Sequence, residues 1–200
     1  MGDKKGMGSG CERIKLYSLQ TEIVKDVIRK DGICFSRKEY VLKKYEESAS
    51  IFTTIYSFMV QNAINYMQKP EGAEYPYWAF KDLYNIEYTS DNLPLKLSVP
   101  LDECILFDVA DYNKLLTFDY LSFDDEEYDA FHKEIESQGL NAYKIMNSNF
   151  YPMYKSKILN SWKRLFEKNE KLKLGKYEVA KQGVQAFLWC IKKEWVEENL

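Results

Sequence analysis

Near the C-terminus, a run of eight residues carries a single strongly polar side chain, and this run restricts the possible folds more than any other segment. The run is VQAFLWCI, residues 184–191. Successive side chains of an extended strand point to opposite faces, so Gln185 shares a face with Phe187 and Trp189. A glutamine that shares a strand face with two aromatic residues lies either at the rim of an aromatic-lined cleft or inside the core with a hydrogen-bond partner. Both alternatives stay open for Gln185.

Strand and helix patterns are interleaved along the chain without the regular rhythm of repeated strand–helix–strand units. Alternating or apolar runs predict strands at 13–19, 75–80, 95–99, 104–107 and 184–191. Spacing of three to four residues, with capping residues and breakers, predicts helices at 21–32, 36–46, 49–68, 108–118, 142–168 and 193–199. The acidic segment 119–136 is a solvated helix or loop. These patterns favour a single α+β domain over 13–200, with a mixed or split β-sheet flanked by helices. Residues 1–12 are interpreted as a flexible leader or a cloning scar.

Composition and charge exclude several classes of protein. The net charge of −3 gives no overall basic excess for a nucleic-acid backbone, so a nucleic acid is disfavoured as a partner. No apolar stretch approaches the roughly 18 residues of a membrane span. The four cysteines include no closely spaced pair, which indicates reduced thiols in a cytoplasmic protein. The partners that remain are a small-molecule ligand, another protein or a second copy of the chain.

Few residues offer chemistry. The single histidine, His132, lies in the acidic segment, and neither phosphate-binding glycine motif is present. We predict no metal site, because the acidic cluster at 124–127 lacks the alternating spacing of a calcium loop. Asp108 follows a predicted buried strand, where an aspartate is either a site residue or the N-cap of the next helix. It is the only candidate general base. Tyr75, Tyr77 and Trp78 either stack a planar ring or belong to the core.

Four stretches taken together resemble a bacterial family of unassigned function, domain-of-unknown-function family 3841. They are KLYSLQ (15–20), YPYWAF (75–80), LSVPLDECILFDVADYNKLL (97–116), and the pair NSWKRLF (160–166) with VQAFLWCI (184–191). The resemblance covers residues 13–198. The recurrent polar positions of that family fall on Gln20, Trp78, Asp108, Ser161, Trp162 and Gln185, and the family gives no role to any of them.

A more distant resemblance links the chain to the ADP-ribosyltransferase fold. The opening strand, helix and Gly32 are similar to the start of that fold, and it places a catalytic glutamate in a late strand of the form Gln-Ala-Glu. Here the glutamate position holds Phe187. The resemblance implies NAD as cofactor, but a phenyl ring cannot stabilise an oxocarbenium-like sugar as a carboxylate does.

Two functional hypotheses follow. In the first, the chain binds a nucleotide-like small ligand in a cleft. Tyr17 and Trp78 stack on its ring, Gln20 and Gln185 hydrogen-bond to it, Trp162 adds a further binding contact, and Asp108 and Gln185 occupy the catalytic positions. In the second, the chain is a non-enzymatic protein-interaction module. The sequence leaves open whether the protein is an enzyme.

Overall fold

The fold comes from a computed structural model that describes residues 12–200. Its strands are β1 (Arg13–Ser18), β2 (Ile33–Phe35), β3 (Tyr77–Phe80), β4 (Leu95–Pro100), β5 (Ile105–Asp108), β6 (Val184–Leu188), β7 (Cys190–Lys192) and β8 (Val196–Glu198). Its α-helices are α1 (Glu22–Asp31), α2 (Lys38–Tyr45), α3 (Ala49–Ala63), α4 (Val109–Leu116), α5 (Asp125–Glu136), α6 (Ala142–Met146), α7 (Pro152–Ser161) and α8 (Asn169–Lys173). A 3-10 helix at Trp162–Lys168 joins α7 to α8.

The strands form two antiparallel sheets. The main sheet has six strands in the order β5-β6-β3-β1-β4-β8, and the small sheet pairs β2 with β7. Because all of these pairings are antiparallel and the helices are not crossovers between parallel strands, the domain is α+β, as the sequence predicts.

The main sheet separates two apolar cores. On one face, Phe107 and Phe187 pack with Trp162 and with residues of α3, α4 and α5. On the other face, Leu16 and Ala186 pack with Trp195 and with residues of α1 and α8. Burial on both faces explains why β6 is apolar along its whole length, since each of its five residues is buried.

The helices of the first core cover only half of their face of the sheet. Over β5 and β6 the side chains on this face are buried, whereas on β1 Lys15 is exposed and Tyr17 is half-buried. On β4, Lys96 is half-buried on the same face and pairs with Glu197 and Glu198 of the edge strand. We call the partly solvated face of β1, β4 and β8 the open half-sheet. Its border with the helical layer runs along β3.

Some segments differ from the sequence prediction. The helix expected from Ser36 begins at Lys38, because Ser36 pairs with Tyr75 in an isolated bridge instead of capping the helix. The predicted strand 184–191 is two strands, which belong to different sheets and meet at Trp189. Of the predicted leader, residues 1–11 lie outside the described residues, so that boundary stays a prediction.

Candidate functional site

Three of the six predicted site residues lie on one face of the main sheet. Tyr17 is directly opposite Phe80 of β3, Phe80 is opposite Gln185 of β6, and Gln185 is opposite Phe107 of β5. Residues opposite each other in an antiparallel sheet share a face, so these four side chains form one cross-strand row. Trp78 lies two residues before Phe80 and therefore shares that face. The row passes from the half-buried Tyr17 at the open half-sheet to the fully buried Phe107.

Gln20 is linked to the backbone of β3 through a serine. The Gln20 side-chain amide donates to the hydroxyl of Ser18 at 2.8 Å, and that hydroxyl donates to the Trp78 backbone carbonyl at 2.6 Å. Ser18 is fully buried, and its side chain points to the face opposite that of Tyr17. The end of β1 is therefore fastened to β3 by side chains, and Gln20 lies at the end of β1 and not in the row.

Trp78 is held in place by aromatic neighbours. Its indole N–H donates to the Tyr56 hydroxyl at 2.7 Å, and its ring lies 4.8 Å from that of Tyr112. Burial raises the pKa of both phenols, and the neighbouring hydroxyl of Tyr45 raises that of Tyr56 further. These phenols are therefore neutral hydrogen-bonding groups at physiological pH. Trp78 is therefore the half-buried member of an aromatic cluster with Tyr56 and Tyr112, and it borders the open half-sheet.

Gln185 belongs to the buried part of the row. Its exposed fraction is 3%, between Phe80 and Phe107. Phe187, at the position where the more distant resemblance places a glutamate, is fully buried and packs edge-on against Trp78 and Trp189. Its burial agrees with the second alternative for Gln185, a place inside the core, but no hydrogen bond of its side chain is found within residues 12–200. The catalytic role of Gln185 stays a prediction.

Asp108 lies on the opposite face of the sheet, where four donors surround its carboxylate. One oxygen accepts from the backbone N–H groups of Ala110 at 3.0 Å and Gln182 at 3.2 Å. The other accepts from the Lys181 N–H at 2.7 Å and the Lys168 ammonium at 3.0 Å. Burial alone would raise the pKa of Asp108, but these hydrogen bonds outweigh it and hold the pKa below its usual value. Asp108 is thus the N-cap of α4 and the anchor of the loop before β6.

Trp162 lies in the first core and is not a member of the row. It is fully buried, and its indole N–H donates to the Asp119 carbonyl at 2.7 Å. Phe58 and Phe118 pack against its ring. A side chain in this position stabilises the fold, and its ligand-binding role stays a prediction without a contact to the other site residues.

His132 is also fixed by internal contacts. Its Nε2 atom lies 2.8 Å from a carboxylate oxygen of Asp119, whose other oxygen accepts from the Tyr128 hydroxyl at 2.9 Å. Cys34, Cys104 and Cys190 are buried as free thiols, and burial raises the pKa of Cys190 to about 12. Within residues 12–200, no three histidine, cysteine or acidic side chains come together as a set of metal ligands.

The acidic and basic segments neutralise each other. Arg164 makes two hydrogen bonds to the Glu127 carboxylate, at 2.7 and 2.9 Å, and the Lys157 ammonium lies 3.0 Å from Glu134. Glu127 also accepts from the Tyr120 hydroxyl at 2.7 Å. These pairs fasten α5, in the acidic segment, to α7 and to the 3-10 helix that follows it.

The docking of α5 should weaken in acid. Hydrogen bonds from Arg164 lower the pKa of Glu127 from 4.5 to about 2. A lowered folded pKa means that the stabilisation is complete above pH 4.5 and is lost as the pH falls toward 2. We expect Glu127→Gln to lower the free energy of unfolding by about 1 kcal/mol at pH 7, since the pair is partly exposed to solvent. Urea unfolding at pH 7 and pH 2.5 measures this, and the difference should be clearly smaller at pH 2.5. Glu126→Gln, one residue earlier, is the control and should change little at either pH.

Comparisons with known proteins agree with the first resemblance. A family model described as Domain of unknown function (DUF3841) matches residues 15–197, so the chain belongs to this family. No curated protein and no solved structure matches the chain, and the resemblance to ADP-ribosyltransferases therefore stays a prediction. Within residues 12–200, no helix has the length and apolar character needed to cross a membrane.

Sequence reasoning missed Phe80, Tyr56 and Tyr112. Phe80 joins Tyr17 to Gln185, and the two tyrosines fix the Trp78 ring. Alternation along YPYWAF places Phe80 on the face of Trp78, so this residue could have been found. Tyr56 and Tyr112 reach Trp78 from α3 and α4, and no local pattern indicates that contact.

Proposed function

We propose that the protein binds a nucleotide-like small ligand at the border of the open half-sheet, and that it does so without group transfer. The observation that supports this most is the position of Tyr17 and Trp78 on one face of neighbouring strands, at the half-buried border where that face opens to solvent. A planar base stacks favourably on such aromatic side chains, and Gln20 offers both a donor and an acceptor to a ribose or a base edge.

The charges of the open half-sheet suit an anionic ligand. Arg13 donates from Nε to the Ser98 hydroxyl at 3.0 Å, and neither Arg13 nor Lys15 forms an ion pair with any residue in 12–200. Lys15 is two residues before Tyr17 on the same exposed face. A phosphate beside these cations, with its base on Tyr17, would satisfy both kinds of group.

The same residues do not suit NAD cleavage. The Phe187 position is sealed in the core, and the carboxylate of Asp108 is saturated on the opposite face. The row therefore offers no carboxylate that could stabilise an oxocarbenium-like sugar. The proposal is for that reason a binding function, and the residues present do not fit NAD as a substrate.

Native mass spectrometry of the purified full chain, followed by calorimetric titration with ATP, AMP and NAD, tests the proposal. We expect at least one of these probes to bind, and Tyr17→Ala to weaken that binding about tenfold, which corresponds to about 1.4 kcal/mol. Tyr154→Ala, a half-buried tyrosine on α7, is the matched control and should leave the affinity unchanged. Absence of binding at millimolar concentration, or equal affinity of Tyr17→Ala and the parent, would refute the proposal.

A further inference from the structure

A groove on the other side of the molecule runs between α1 and β2. The cavity in it has a volume of about 270 Å³ and is lined mainly by apolar side chains: Ile23, Val24, Val27, Ile33, Phe35 and Tyr40. All three residues of β2 line it, including Cys34. Consecutive strand residues point to opposite faces, so a cavity that touches all three must run along the edge of the strand.

The backbone of β2 is unpaired along that edge. The Lys193 N–H donates to the Gly32 carbonyl at 2.8 Å, and the registers place Ile33 opposite Lys192 and Cys34 opposite Ile191. Hydrogen-bonded pairs alternate along an antiparallel ladder, so Gly32 and Cys34 bond to β7. The N–H and C=O groups of Ile33 and Phe35 then point away from β7, and no other described residue bonds to them through its backbone. The Phe35 carbonyl accepts one long contact, from the Cys34 thiol at 4.0 Å.

Other edges of the fold are protected in ways that β2 lacks. At the β5 edge of the main sheet, the side-chain carbonyl of Asn169 accepts the Leu106 N–H at 2.9 Å. The β8 edge carries Glu197 and Glu198. Charged or covered edges resist pairing with other chains. The β2 edge instead has an apolar rim, where Ile23 is 77% exposed and Tyr40 is 58% exposed.

We propose that this groove binds an extended segment of a partner protein, which adds to β2 as an antiparallel strand. Main-chain hydrogen bonds to Ile33 and Phe35 would supply affinity, and alternate apolar side chains of the segment would enter the groove beside Val24 and Val27. This site is separate from the proposed ligand cleft, because it belongs to α1 and the small sheet.

The positive charge of Arg37, just after β2, indicates which side chains the partner segment should carry. Arg37 lines the groove, and its loose partner Glu74 lies 3.6 Å away with both side chains 46% exposed. The Arg37 guanidinium therefore has donors to spare for a second carboxylate. Asp31 lines the groove near the other end of β2, so the segment that fits has alternating apolar residues and an acidic residue at the Arg37 end.

A phage-displayed library of linear decapeptides, selected on the purified full chain, is the probe for this site. We expect selected peptides to share alternating apolar positions with one Asp or Glu. Their binding should slow amide hydrogen exchange at Ile33 and Phe35 at least tenfold. Replacing alternate peptide N–H groups by N-methyl groups should weaken binding at least tenfold, because the strand hydrogen bonds are lost while the side chains remain.

Matched variants on the exposed surface locate the binding. Ile23→Asp and Tyr40→Ala should each weaken peptide binding about tenfold. Leu174→Asp, at 74% exposure, and Tyr143→Ala, at 58%, change equally exposed residues elsewhere and should have no effect. The proposal is overturned if no peptide is selected, if N-methylated peptides bind as well, or if the groove and control variants behave alike. Self-association of the chain that Ile23→Asp abolishes would likewise overturn it, because the occupant would then be a second copy.

Discussion

Asp108→Asn is expected to lower the free energy of unfolding by about 3–5 kcal/mol, which is the usual cost of breaking a buried ion pair by removing one partner. The carboxylate accepts hydrogen bonds from three backbone N–H groups and from Lys168. An amide of the same shape turns its own N–H groups toward two of those donors and leaves the Lys168 ammonium without this partner. Urea unfolding followed by circular dichroism measures the loss.

Asp111→Asn is the control for this prediction. Asp111 pairs with the same ammonium at 2.7 Å but is more exposed than Asp108, so its loss should cost about 1 kcal/mol or less. Because the folded pKa of Asp108 lies below its usual 3.8, its stabilisation is complete above that pH and is lost as the pH falls further. The gap between parent and Asp108→Asn should therefore shrink in acid. A variant as stable as the parent that loses ligand binding would instead assign Asp108 a chemical role.

Trp162→Ala should destabilise the protein by a similar amount, about 3–5 kcal/mol, because it empties a large site in the first core. The ring is fully buried between Phe58 and Phe118, and no described residue of the open half-sheet contacts it through an aromatic ring. Thermal unfolding measures the loss. The refolded or residual native fraction should still bind the ligand that the parent binds, since the ring neighbours of Trp162 are Phe58 and Phe118 and not Tyr17 or Trp78.

Two buried tryptophans allow a comparison that isolates one hydrogen bond. The Trp162 indole N–H is bonded to Asp119, whereas the equally buried N–H of Trp195 has no partner among the described residues. Trp162→Phe removes a bond and leaves a carbonyl unpaired, while Trp195→Phe removes an unsatisfied donor. We expect Trp162→Phe to cost about 1 kcal/mol more than Trp195→Phe. Equal costs would mean that the bond to Asp119 contributes nothing.

The fold class follows from local patterns because each strand and helix carries its own periodicity. The alternation of RIKLYS predicts both β1 and its buried face, and Gly32 ends α1 in the left-handed conformation that glycine favours. The short strand β2 was missed, since three residues carry too little pattern to separate a strand from a turn. The order of the strands depends on contacts between distant segments, which a single sequence does not contain.

The candidate site was predicted in part for the same reason. Tyr17, Gln20 and Trp78 were chosen for residue type and position; Tyr17 and Trp78 share one face of neighbouring strands, and Gln20 bonds to Ser18 at the end of β1. Their binding roles stay predictions. Asp108 and Trp162 were chosen by the same criteria but lie elsewhere. In a sequence, a polar or aromatic residue that stabilises the fold looks the same as one that binds a ligand. The folded structure separates the two cases, because Asp108 and Trp162 are fully buried and Tyr17, Gln20 and Trp78 are half-buried.

The apolar run at residues 184–191 also connects the main sheet to the small sheet. Residues 184–188 are an interior strand of the main sheet, and residues 190–192 form half of the small sheet, with Trp189 between them. If either sheet loses its strand pairing next to Trp189, the strand of the other sheet that continues from this residue is disturbed as well. The two cores should therefore melt in one cooperative transition, and the slowest-exchanging amides on both sides of Trp189 should open with the same free energy.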